Sequence, residues 1–379
     1  MNFFEHQDRA RSHTARLVFL MCAGVLSLIA VTSGILILIL RSQKEIVINA
    51  STWQLGLGVS GGVLALVFLG SLYKNLQLRA GGKVIAERLG GQLVSPESQN
   101  LDEARVLNVV EEMAIASGAS VPALYVLEDA SINAFAAGLT PQDAVIGITR
   151  GALILLTREE LQGLIAHEFS HIYNGDMRLN TRLTAVTYGL LLIGLTGAMI
   201  LRGISLRGAS SNNEKKGNNA TQALMMVGGA LWVLGYAGMF FGRLIKAAVS
   251  REREFLADAS AVQFTRNPQS IAGVLKKIGG HTVGSQLKAA HAAEFSHLYF
   301  SDGLKFATSS MTATHPPLKV RIQRIDPQWD GQFSIVNFLD ETPAPNTIFE
   351  TDVKPSDSVK ELVFDLSAIP HAATSDQSP

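Results

Sequence analysis

Residues 17–40 read LVFLMCAGVLSLIAVTSGILILIL, 24 positions without one charged side chain. An α-helix rises 1.5 Å per residue, so about 20 apolar residues cross the ~30 Å of hydrocarbon in a bilayer. No amphipathic face remains in this run to meet water, and inside lipid only a helix satisfies every backbone N–H and C=O. It therefore reads as a membrane span. Its apolar stretch exceeds the 7–15 residues of a signal peptide, and no small-x-small site precedes Arg41, so it is expected to be retained.

Three further runs follow the same pattern: residues 53–73, 183–201 and 223–242, of 21, 19 and 20 residues. Basic residues near the four spans number thirteen on the side of the N-terminus, Arg9 to Arg253, and six on the other side, Arg41 to Lys216. The positive-inside rule then faces the larger segments to the cytoplasm, in a cell (inner) membrane. The chain divides into a cytoplasmic N-terminal tail 1–16, a hairpin 17–73, a soluble segment 74–182, a second hairpin 183–242, a second soluble segment 243–328 and an acidic tail 329–379. Gly331 to Pro379 carries eight acids and two lysines and reads as a largely loose tail.

Composition agrees. Of 379 residues 47% are hydrophobic and only 17% charged, with 32 basic and 32 acidic side chains and zero net charge. Zero net charge excludes binding to nucleic acid by bulk positive charge, and the hydrophobic content excludes an acidic disordered chain. One cysteine, Cys22, excludes an internal disulfide and a cysteine metal cluster.

Between spans two and three the patterning is that of an ordinary domain. Residues 102–117 predict a helix with Val106, Val109, Val110 and Met113 on one face and Gly118 as its stop. Residues 123–127, 133–137 and 144–149 predict short strands, and Thr157 with Glu160 forms a capping box at the start of a second helix. That helix contains Ala166-His167-Glu168-Phe169-Ser170-His171, the H-E-x-x-H pattern. Residues four apart share a helix face, so both imidazoles reach one metal ion. Glu168, one position on, stands beside the ion, where it can take a proton from the attacking water.

A third ligand must come from elsewhere. The extended H-E-x-x-H-x-x-G-x-x-H pattern fails at Asn174 and Met177, and no later span contains the aspartate an intramembrane site would need. Arg251-Glu252-Arg253-Glu254-Phe255-Leu256-Ala257-Asp258 supplies E-x-x-x-D, with Glu254 as ligand and Asp258, one turn on, holding a ligand imidazole in its tautomer. Glu252 is the rival, with Leu256 where the aspartate should be. Topology permits the set: two crossings between His171 and Glu254 return the chain to the same side. The architecture expected is thus α+β, a multi-pass membrane protein whose cytoplasmic zincin-like domain is split by the second hairpin.

The stretch from about Arg79 to Arg324 resembles the HtpX-like membrane zinc metallopeptidases, relatives of the CAAX prenyl endopeptidases. The matching pieces are Asn133-Ala134-Phe135-Ala136-Ala137-Gly138, the His167 motif with Asn174 and Asp176 after it, Arg253 to Asp258, and Thr314-His315-Pro316-Pro317. The resemblance implies one zinc ion per chain on His167, His171 and Glu254, with Glu168 as catalytic base. It implies endopeptidase activity in quality control of membrane proteins. It also implies that His315 lies near the cleft as a transition-state donor or metal-shielding residue. The acidic tail has no place in the family pattern. Alternatives are a non-proteolytic scaffold or holdase with structural zinc, favoured if His315 proves a fourth ligand, and a prenyl-peptide processing enzyme. The expected partners are membrane-protein or peptide substrates and the bilayer, with no nucleic acid. Strand 144–149 reads equally as an edge open to an extended peptide or as an internal strand, and Glu294-Phe-Ser-His297 echoes the motif without its first histidine.

Overall fold

The computed structural model describes residues 3–42, 52–77, 81–210, 219–281, 284–285, 299–301 and 313–333. His291, Glu294, His297 and the tail beyond residue 333 lie outside them. Among the described residues four helices are long and apolar enough to cross a membrane: α1 (Phe3–Ser42), α2 (Thr52–Gln77), α7 (Asp176–Ser210) and α8 (Asn219–Thr265). They pack in the cyclic order α1, α2, α7, α8. Ile29, Val63, Val67, Ile193 and Leu231 meet at the centre of this bundle. Its outer face is apolar too, with Phe19, Leu38, Leu57 and Phe68 exposed; such a surface is stable only against lipid. α7 and α8 approach closely because Gly194 faces Gly235. A Cβ built on Gly235 would stand 2.0 Å from the Gly194 backbone nitrogen, the small-residue contact that lets membrane helices pack. Three glycines of span two behave differently: a Cβ built on Gly58, Gly61 or Gly62 would meet nothing within 4 Å, whereas one on Gly70 would meet Leu192 of α7.

The soluble part is built on a four-stranded sheet of β1 (Gln92–Leu93), β2 (Ala123–Leu127), β3 (Ala134–Ala137) and β4 (Val145–Thr149), in the order β1-β2-β4-β3. β4 runs parallel to β2 and antiparallel to β3. It is therefore internal, not the open edge considered from sequence, and its five residues are all buried. The edges are β1 and β3, and Tyr299 forms a bridge with β3 at Phe135. The short α3 (Gly81–Arg88) leads into the sheet, and α5 (Arg150–Leu155) follows β4.

Helix ends are set by local chemistry. In α4 (Leu101–Ser117) the Asn100 side chain accepts from the Asp102 and Glu103 amides, and Gly118 closes the helix at φ 71°, where a side chain would be strained. α6 (Arg158–Asn174) starts at the Thr157–Glu160 capping box and stops at Gly175, φ 67°. That stop lets the chain turn into α7, so the motif helix and the membrane helix are separate elements. No such break exists on the other arm. α8 runs unbroken from the apolar span through Glu254 and Asp258, which carries Glu254 ~18 Å beyond Gly242 at 1.5 Å per residue. α9 (Pro268–Gly280) and α10 (Leu318–Ile325) complete the core, where Val110, Ile148, Leu164, Ile165, Ile271, Leu275 and Ile322 pack together.

Candidate metal centre

His167 and His171 lie on one face of α6, and α8 crosses that face. Their Nε2 atoms stand 3.1 Å apart. Glu254 Oε2 is 3.5 Å from the first, and Glu254 Oε1 is 3.5 Å from the second. Two ligands at ~2.05 Å from a tetrahedral ion stand about 3.3 Å apart, so the three side chains match the spacing of such a site. Glu252, the rival, points elsewhere: its Oε1 faces His13 Nδ1 at 3.6 Å.

Each imidazole is held from behind. His171 Nδ1 is 2.8 Å from Asp176 Oδ2, and His167 Nδ1 is 3.0 Å from Asp258 Oδ1. A carboxylate only accepts, so these contacts assign the ring proton to Nδ1 and leave each Nε2 a bare lone pair. Two lone pairs and a carboxylate then converge with no donor among them, an arrangement that needs a cation. Without metal, a proton fills part of that need. Burial pulls the His167 imidazolium down, but hydrogen bonds to Asp258 and Glu254 overcome it and raise the group to about 9.

The carboxylates in turn rest on arginines. Arg321 Nε and Nη2 donate to Asp258 at 2.9 and 2.7 Å, and Nη1 donates to the Phe300 carbonyl at 2.8 Å. Arg253 pairs with Asp176 and donates to the Asn174 carbonyl. Phe300 stacks edge-on against His167, ring centroids 4.7 Å apart, and the Arg321 guanidinium lies 4.6 Å from the same ring. Sequence reading missed Arg321, although a signal existed: it falls between Leu318, Ile322 and Ile325 on the buried face of α10. Asp176 entered only as part of the family match. Phe300 carried no signal, because its role depends on a distant chain segment meeting α6.

Glu168 is fully buried, and neither carboxylate oxygen makes a well-formed hydrogen bond among the described residues. Burial pushes its carboxyl up, against the pull of His171 and His167. A carboxylate tuned upward in this way suits proton exchange near neutral pH. His315 is buried beside the ligands, its Nδ1 3.3 Å from Glu254 Oε2. The donor set, two nitrogens and one oxygen, is that of a catalytic rather than a closed structural site.

Fold and ligand set together define a class, the metallopeptidases embedded in a membrane through a helical bundle. Comparison with protein families narrows it: the model of peptidase family M48 matches residues 100–328, and the chain belongs to that family. Among individual relatives, a "Protease HtpX homolog" of Thermoanaerobacter pseudethanolicus is 35% identical over 274 residues, covering 72% of this chain and 86% of the relative. One from Listeria monocytogenes is 36% identical over 272 residues, 71% and 86%. A third, from Dictyoglomus thermophilum, reaches 39% over 220 residues, 58% and 68%. Among solved structures, the crystal structure of S. mikatae Ste24p aligns at TM-score 0.42 and 17% identity, over 82% of this chain and 67% of that one.

Proposed function

We propose that this membrane metallopeptidase is a zinc-dependent endopeptidase of the inner membrane whose active site faces the cytoplasm. In this reading its catalytic domain is residues 74–182 and 243–328, split by the hairpin 183–242, and His167, His171 and Glu254 hold one zinc ion. The observation that carries it is the convergence of two Nε2 lone pairs and a carboxylate beside the buried Glu168. Zinc there would polarise the scissile carbonyl and lower the pKa of water. Glu168 takes the proton of the attacking water and delivers it to the leaving amine. Asp258 and Asp176 keep both imidazoles in the ligating tautomer. His315 stands close enough to the ligand carboxylate to meet the developing oxyanion.

Orientation rests on the excess of thirteen basic residues over six. A site carried ~18 Å from a span end by α8 favours substrates at the bilayer surface, which fits quality control of membrane proteins. The test is metal analysis and proteolysis of a model membrane substrate by full-length protein in detergent, with and without chelator, for wild type and Glu168→Gln. The variant is expected to bind one zinc and cleave nothing; substantial cleavage by the zinc-loaded variant would remove Glu168 as base.

A further inference from the structure

A narrow cleft opens from the metal centre toward the membrane, between α7 and α8. Its wall includes Ala136 of the edge strand, His171, Met177, Leu183, Val249 and Glu254. The cavity is about 50 Å³. In the measure by which one water needs about 10–15 Å³, that is room for a carboxylate. Most of the wall is apolar, yet Lys246 reaches into it from α8, one turn beyond the end of the apolar span.

Lys246 Nζ donates to Thr184 Oγ1 at 2.7 Å, and the Thr184 hydroxyl itself donates to the Asn180 carbonyl. The threonine thus ties the amine to α7, on the inner side of the helix pair. An ammonium has three donors, and this contact uses one. Among the described residues no carboxylate lies within ion-pair distance of it. The acids nearest the cleft are engaged, Asp176 with Arg253 and His171, and Glu254 with the histidines. The partly buried cation therefore lines, with two donors beyond its bond to Thr184, a cleft shared with the metal ligands and with Asn180 and Ser250, and a partner there is worth far more than in water.

We infer that Lys246 reads a carboxylate of the bound peptide, an acidic side chain or a free C-terminus, and so sets specificity at the membrane side of the cleft. The inference rests on the peptidase reading, since it needs a peptide in that cleft.

Binding tests it without turnover. Full-length, zinc-loaded Glu168→Gln protein in detergent is titrated with fluorescent neutral peptides carrying one glutamate or glutamine at successive positions, with free or amidated C-termini. One glutamate position, or the free C-terminus, is expected to bind about ten-fold tighter than its neutral counterpart, the scale of a charged hydrogen bond. The glutamate scan and the amide arm tell the two carboxylate sources apart. Adding Lys246→Met brings that ratio to about one, Lys246→Glu shifts preference to lysine peptides, and Thr184→Val, which only unties the amine, lowers the ratio. Zinc content confirms folding in each variant, and Thr184→Val stands in where a Lys246 variant does not fold. A ratio of about one at every position, no peptide binding, or a preference that survives Lys246→Met overturns the inference. So does binding that ignores the peptide carboxylate but follows phosphatidylglycerol content, which would make Lys246 a lipid anchor. Wild-type hydrolysis without discrimination counts against Lys246 alone. Discrimination without any hydrolysis counts against the peptidase reading alone.

Discussion

The two histidine arms of the metal centre are built to one plan and set in different surroundings. Each is an imidazole on a carboxylate on an arginine: His167–Asp258–Arg321 and His171–Asp176–Arg253. In the first, the histidine and arginine side chains are 0% exposed. In the second, the histidine is 15% and the arginine 12% exposed, beside the cleft. The buried arm trades desolvation for rigidity: charges taken out of water hold only if each is paired and hydrogen-bonded. The cleft arm keeps some access to solvent, which the face that admits a substrate requires. One ligand is thereby fixed from inside the protein core, and the other from the membrane-side wall.

The largest effects should ignore this difference. His167→Ala and His171→Ala each remove a ligand, and both are expected to lose stoichiometric zinc and all proteolysis, read by metal analysis and peptide cleavage. Retention of one tightly held zinc by either variant would break the symmetry of the two arms. Next come the arginines, where the arms should part. Arg321→Met leaves Asp258 buried without its counter-charge and is expected to cost about 3–5 kcal/mol. Arg253→Met, whose pair with Asp176 is less deeply buried, should cost about 2 kcal/mol. Thermal unfolding in detergent compares them, and equal losses would mean that burial does not separate the arms.

Smaller still are the carboxylates. Asp258→Asn and Asp176→Asn are each expected to weaken zinc binding by about 10–100-fold in chelator competition, the scale for groups that orient a ligand. The buried arm should give the larger loss. The smallest effect is a pH dependence of the buried arm. In metal-free protein the His167 group is raised to about 9, above the ~6.5 of an unfolded histidine. Its protonation therefore stabilises the fold fully below pH ~6.5 and less as pH rises through 9. Metal replaces that proton. The gap between the melting temperatures of zinc-loaded and metal-free protein should widen from pH 6.5 to 9, and shrink in Asp258→Asn.

How legible all this was depends on the range of the interaction. The strands at 123–127, 134–137 and 145–149 lie within one residue of where alternation and turn residues put them, because those signals act over a few positions. The Thr157 cap and the Gly118 stop are local chemistry and were equally readable, whereas the stop at Gly175 emerged only from the structure. Strand order was not: whether β4 is internal or an edge depends on β2 and β3 meeting it, and periodicity within β4 is silent on that. The close α7–α8 contact likewise formed at Gly194 and Gly235, while in span two Gly58, Gly61 and Gly62 face open space and Gly70 meets Leu192 of α7. Arg321 gains its role only because α10 docks beside α8, where its guanidinium meets Asp258.

The sequence alone determined the charge-free runs, the shared face of His167 and His171, and the two apolar runs that separate them from Glu254. Those are consequences of helical period and of hydrocarbon solvation, both written into consecutive residues. Only the tertiary structure decided which acid backs which imidazole, that Arg321 closes the buried arm, and that Lys246 turns inward beside the ligands. The reason is physical: a charge survives burial only through a partner, and that partner is brought near by packing rather than by spacing along the chain.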